Sequence, residues 1–166
     1  AGALTVHALL GGKDATLAER TEIVRAGLSR FAGRQLRIDE HIADGELGEA
    51  YRNIAIANML RSYGVITDDP DEVVHGYINQ CSVLVSVKDL AIMAATLAGG
   101  GTNPLTGEQV LSPRVNRQVL GVMMTCGMYD AAGDWMTEVG VPAKSGVSGG
   151  LFGVLPGQLG IATFSP

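Results

Sequence analysis

Apolar residues recur at helical spacing along most of the chain and switch to extended spacing near its end. Leu17, Ile23, Val24, Leu28 and Phe31 predict a helix over 17–31, with Gly33 ending it. A second helix is expected from about Leu47 to Tyr63, turning Ile54, Ile56 and Leu60 inward and stopping at Gly64. Asp69-Pro70-Asp71 opens a third, through Val74 and Ile78, because it sets a polar cap, a first-turn proline and acids at the positive dipole end. Ser86-Val-Lys-Asp89 reads as a capping box starting Leu90 to Leu97, which Gly99-Gly-Gly101 breaks. Ser112-Pro113 repeats the cap-plus-proline signal before Val119 to Met124, and Gly127 closes that helix. After Gly140 three strands are expected, at 141–147, 151–155 and 159–164, the last two joined by Pro156-Gly157.

Helices followed by antiparallel strands mean an α+β fold, with 1–140 mainly helical and 141–166 sheet. A strand pair at the end of a chain needs partner strands, so the domain is expected to be partial. Composition sharpens this picture. Apolar residues make up 46 % of the 166 and charged residues only 17 %, which implies either a large core or apolar surface meeting another chain. Self-association into a homo-oligomer is expected on that ground. A net charge of −5 excludes the basic stripe that nucleic acid requires. No apolar run reaches the length of a membrane span. Cys81 and Cys126, without CxxC spacing, read as buried thiols of a reducing compartment, which points to the cytoplasm. The start Ala-Gly-Ala-Leu has no charged leader and is expected to be a cut end.

Four places could carry chemistry. Lys144-Ser145-Gly146 on a strand occurs in serine acyl-transfer enzymes, where ammonium and hydroxyl hold an anionic substrate and glycine permits close approach. Tyr129, in Cys126-Gly127-Met128-Tyr129-Asp130 after a helix, could shuttle a proton or simply pack its ring in a turn. Glu46 and Asn53 would share one helical face if that helix starts early enough, binding a zwitterion's ammonium and carboxylate, or would be a solvated face. Tyr77, in Gly76-Tyr77-Ile-Asn-Gln-Cys81, could line a site or only fill core. His7, His41 and His75 show no metal-ligand spacing, so metal catalysis is not expected, and Gly99-Gly-Gly101 lacks the Lys-Ser/Thr of a phosphate loop.

Taken together, AGAL, RNIAIA, YINQCS, DLAIMAATLAGGGTNPLTGEQVLSP, MTCGMYD and PAKSGVSGG closely resemble the serine-dependent glutaminases, in that family's order and over nearly the whole chain. The resemblance implies the fold of serine β-lactamases and transpeptidases, incomplete here at both ends. It also implies that Glu46, Asn53 and Tyr77 grip the α-amino and α-carboxylate groups of L-glutamine, that Tyr129 assists proton transfer, and that Val147 lends a backbone N–H to the oxyanion hole. Lys144 and Ser145 would line the same wall, all five substrate positions converging on one amino-acid-sized hollow. The product would be L-glutamate, released with ammonia from a serine acyl-enzyme. The family's nucleophile is the serine of a Ser-x-x-Lys motif, and no Ser-x-x-Lys occurs among these residues. The resemblance places it before Ala1, so the 166 residues alone are expected not to hydrolyse glutamine. Alternatives are a β-lactamase or transpeptidase-like acyl-transferase, which shares the Lys-Ser-Gly strand, and a non-catalytic scaffold.

Overall fold

The structure is a computed structural model that describes all 166 residues. It separates into two compact units, residues 1–28 with 36–84 and residues 29–35 with 85–166.

The first unit is helical: α1 (Gly2–Leu9), most of α2 (Leu17–Ala32), α3 (Glu40–Gly48), α4 (Tyr51–Ser62) and α5 (Pro70–Cys81). α5 is its hub, because α1, α3 and α4 all pack against it. The helix starts where the sequence says it should: the Asp69 carboxylate accepts from the Asp71 N–H, and Pro70 occupies the first turn. Val73, Val74 and Ile78 on α5 meet Leu4, Ala43, Ala50 and Ala57, with Ile54, Ile56 and Leu60 around them. The three alanines let the helix backbones come close. Gly76 does the same for α1, since a Cβ there would lie 2.1 Å from Nε2 of the buried His7. Burial holds the His7 pKa below the ordinary imidazole value. Gln80 lies near enough to oppose that shift, yet neither ring nitrogen has a hydrogen-bond partner.

The second unit contains α6 (Val87–Ala98), α7 (Pro113–Cys126), a 3₁₀ turn (Tyr129–Ala131), α8 (Ala132–Glu138) and three strands, β1 (Ala143–Ser145), β2 (Gly150–Leu155) and β3 (Leu159–Phe164). The sheet order is β1-β2-β3, antiparallel throughout, with Lys144 opposite Phe152 and Phe152 opposite Ala162. α6 lies across β2 and β3, burying Ala94, Leu97 and Ala98 with Met123 and Val154. Gly160 permits the contact: a Cβ there would sit 2.2 Å from the Ala95 nitrogen.

The expected capping box at Ser86 and Asp89 forms in both directions. It does more than start α6. Arg34 grips Asp89 bidentately, Nε to Oδ1 at 2.7 Å and Nη2 to Oδ2 at 2.6 Å, while the Ser86 N–H and hydroxyl also donate to Oδ2. These donors hold the Asp89 carboxyl well below the usual carboxylate range, the Arg34 guanidinium foremost. A carboxyl depressed in the folded state stabilises the fold fully above its unfolded pKa of about 4, and that contribution drains away as pH falls further. Asp89→Asn is therefore expected to destabilise the protein by about 2 kcal/mol at neutral pH. Urea titrations should show the gap from wild type narrowing below about pH 4. A gap independent of pH would assign the effect to packing instead.

Several expectations need correction. The single helix from Leu47 to Tyr63 is two, because Glu49 and Ala50 donate to Glu46 and Leu47 through i→i+3 bonds that tighten the chain out of α3 before α4 begins. Ile23 faces solvent, and α2 buries Arg20 instead, which pairs with Asp68 at 2.6 Å and donates to the Leu10 and Gly12 carbonyls. Neither cysteine is a buried residue; Cys81 and Cys126 are both exposed. The strand expected over 141–147 is only Ala143–Ser145. Helices α1, α4 and α8 carry no side-chain cap, so none of them left the start signal by which α5, α6 and α7 are legible.

Candidate active site in two parts

In the first unit, Glu46 stands on α3, Asn53 on α4 and Tyr77 on α5. The break at Glu49–Ala50 removes the premise that Glu46 and Asn53 share one helical face. Cys81 stands one helical turn after Tyr77 on α5, which packs against α3, the helix that carries Glu46. Desolvation of its sulfur raises the Cys81 thiol pKa; a hydrogen bond with Tyr77 opposes the shift, and the Glu46 carboxylate adds to it. Tyr77 is half-buried against the core, while Glu46 is exposed. Asn53 is half-buried on α4. A separate open cleft of about 600 Å³, lined among others by Thr16, Thr21, Arg25 and Glu72, contains none of the expected site residues.

In the second unit the parts are more closely tied. The Ser145 N–H donates to the Gly127 carbonyl at 3.2 Å, fastening the end of α7 to β1. The approach is so close that a Cβ on Gly127 would lie 1.8 Å from the Ala143 oxygen. Glycine is obligatory there. Two residues on, Tyr129 adopts φ of 55°, the one left-handed residue that is not glycine. For an ordinary L side chain this costs on the order of 1–2 kcal/mol. The Tyr129 side chain is 58 % exposed, and the Lys144 ammonium sits 4.1 Å from its ring centroid while also donating to the Ser145 carbonyl. A cation over a tyrosine face in such a half-exposed setting contributes roughly 1 kcal/mol.

Val147 lies beyond β1, at the tip of the turn into β2, and is 98 % exposed. Gly146 and Gly149 close that turn, donating to Gly150 and Gly146 carbonyls, whereas no carbonyl takes up the Val147 N–H. An amide left open in this way can donate to an anion arriving from outside; one already bonded in the sheet could not. A Cβ at Gly146 would make only ordinary contacts, with the Ser148 hydroxyl and the Gly150 carbonyl.

The structure thus joins Tyr129, Lys144 and Ser145 and sets Val147 just past them in sequence with an open amide, while Glu46 and Tyr77 stand on two helices that pack together, α3 and α5. Sequence reasoning did not set Cys81 beside Tyr77, although their i,i+4 spacing was visible. It also took Gly127 only as a helix stop, missing the close approach. No group of His, Cys, Asp and Glu side chains comes together that could hold a metal ion.

The glutaminase family model matches residues 1–166, the whole chain. The chain belongs to the glutaminase family. A glutaminase of Corynebacterium glutamicum is 54 % identical over all 166 residues, which make up 40 % of that relative. Among solved structures, Mglu in its glutamate form superposes with a TM-score of 0.96 at 52 % identity, over 99 % of this chain and 38 % of Mglu. The Bacillus subtilis glutaminase YbgJ, solved as a covalent complex with 5-oxo-L-norleucine, gives a TM-score of 0.89 at 34 % identity, over 97 % of this chain and 56 % of YbgJ. The chain therefore spans well under two thirds of the family members it matches. The helices-then-strands architecture and the β-lactamase-like fold expected of it are those of these neighbours. No helix is long and apolar enough to cross a membrane.

Proposed function

We propose that the whole protein hydrolyses L-glutamine to L-glutamate and ammonia through a serine acyl-enzyme, this chain being a partial glutaminase domain. Residues 1–140 supply its helical part and 141–166 its sheet strands. The observation that carries the reading is the collinear match of all 166 residues to glutaminases. A glutamate form of Mglu and a carbon-linked glutamine analogue bound covalently in YbgJ support the substrate and the covalent intermediate.

In this reading the serine hydroxyl attacks the side-chain amide carbonyl of glutamine, its proton passing toward the Ser-x-x-Lys lysine and Tyr129. The Val147 N–H donates to the oxygen as negative charge develops on it. The tetrahedral adduct collapses by expelling ammonia, which takes up the proton, and water then frees glutamate and regenerates the serine. Glu46 receives the substrate's α-ammonium, while Asn53 and Tyr77 donate to its α-carboxylate. The chemistry asks for no metal or organic cofactor. A cytoplasmic location, in keeping with two free cysteines, and a homo-oligomeric assembly, in keeping with the low charge content and exposed apolar side chains such as Val122, Ile161 and Phe164, belong to the same reading.

Incubating the whole protein with L-glutamine should release glutamate and ammonia in equal amounts, and 6-diazo-5-oxo-L-norleucine should label it covalently and abolish turnover. A chromogenic β-lactam serves as the control. Hydrolysis of the β-lactam without release of ammonia from glutamine would overturn the assignment.

A further inference from the structure

We infer that Lys144 is a positioning residue for Tyr129, rather than a contact for the substrate's anionic end. The inference rests on the reading that Tyr129 handles the proton, and it departs from the role that a Lys-Ser-Gly strand suggests by sequence.

Three observations converge on it. First, Lys144 is half-buried and forms no ion pair with any Asp or Glu. Its ammonium is already occupied by the Tyr129 ring face, 4.1 Å away, and by the Ser145 carbonyl. Second, Tyr129 needs holding. Its backbone lies in the left-handed region and its side chain is largely exposed, so neither local preference nor burial fixes the ring. Third, the strand bearing Lys144 is fastened to the turn bearing Tyr129 by the Ser145 N–H to Gly127 carbonyl bond and by the close seat of Gly127 on Ala143. The lysine is therefore presented from a fixed wall to a side chain that lacks one. A planar ring under a cation has its tilt restricted, and tilt decides where the phenolic oxygen stands.

The test uses the whole protein with Lys144→Met, which keeps the aliphatic stem and removes the charge, and Lys144→Arg, which keeps a cation that stacks on tyrosine. Positioning predicts that Lys144→Met lowers kcat about tenfold to a hundredfold with KM within about twofold, since misplaced proton transfer touches turnover alone. Lys144→Arg should restore most of the loss. On a Tyr129→Phe background, Lys144→Met should add nothing further to the loss of kcat, because the hydroxyl it positions is gone. A rise in KM with kcat preserved would overturn the inference and make Lys144 a substrate contact. An independent readout comes from selective ¹³C labelling of lysine: the Lys144 side-chain methylene signals should be displaced upfield by the ring and return to ordinary positions in Tyr129→Leu. Unshifted signals overturn the inference whatever the kinetics. If glutamine is not hydrolysed but the shift is present, the proposed function falls and the contact stands.

Discussion

Replacing Tyr129 by phenylalanine in the whole protein is expected to lower kcat on glutamine by about 10²-fold or more while changing KM less than about threefold. The substitution isolates one atom. Phenylalanine keeps the ring under the Lys144 ammonium and inherits the same left-handed backbone, so the turn and its fastening to β1 survive. Only the hydroxyl is lost. General acid–base catalysis by one positioned group is worth about 10²- to 10⁴-fold, and the small end applies if the lysine of the Ser-x-x-Lys motif shares the task. Steady-state kinetics together with calorimetric titration of glutamate would separate the two effects. Turnover close to wild type would remove Tyr129 from the proton path.

The largest effect on folding is expected from Gly127→Ala. A methyl at that position would stand 1.8 Å from the Ala143 oxygen and 2.4 Å from the Met123 oxygen. Both atoms belong to backbone, so no side chain can swing aside. Either α7 must end differently or β1 must back away, breaking the bond from the Ser145 N–H. Overpacking of this kind costs about 3 kcal/mol or more, on the order of a 10 °C fall in Tm for a protein of this size. Gly121→Ala supplies the comparison within the same helix. Its Cβ would meet nothing within 4 Å, and alanine in an exposed helix interior gains roughly 0.5–1 kcal/mol. Opposite shifts of Tm in the two variants are the expected result. A Gly127→Ala variant melting with the wild type would mean that the end of α7 and β1 do not meet as described.

The contrast between those glycines marks what was legible in the sequence. Signals confined to a few neighbouring residues read correctly: Asp69 before Pro70, Ser86 with Asp89 and Ser112 before Pro113 all cap the helices they announce. Their hydrogen bonds close within one turn, so no distant residue is needed to specify them. The break between α3 and α4 was missed although α3 starts on an Asp39 cap and ends on Gly48, local signals of the same kind as those read elsewhere. Ala50 is buried in the core of the first unit, and that packing sets the bend. The burial of Arg20 was not legible, because it finds Asp68 and two carbonyls that only the folded chain brings to it.

The candidate site divides in the same way. Residue types came from resemblance and stand on elements that can present them, but their partners did not. Nothing local announces that Lys144 faces Tyr129, since α8 and the 3₁₀ turn intervene in the chain. Cys81 beside Tyr77 was within reach, as a spacing of one helical turn on a helix already foreseen. Val147 was expected within a strand, and its place outside one suits it better to the role assigned, because a strand would have used its amide.

The left-handed backbone at Tyr129 has a practical corollary for anyone engineering heat resistance into this protein. Glycine or asparagine would relax that residue, so a screen that rewards only survival of heating should enrich them at position 129. Under the proton-transfer role proposed for Tyr129, the hits would be tougher and idle. Library selections at this position therefore need ammonia release in the same round as the thermal challenge.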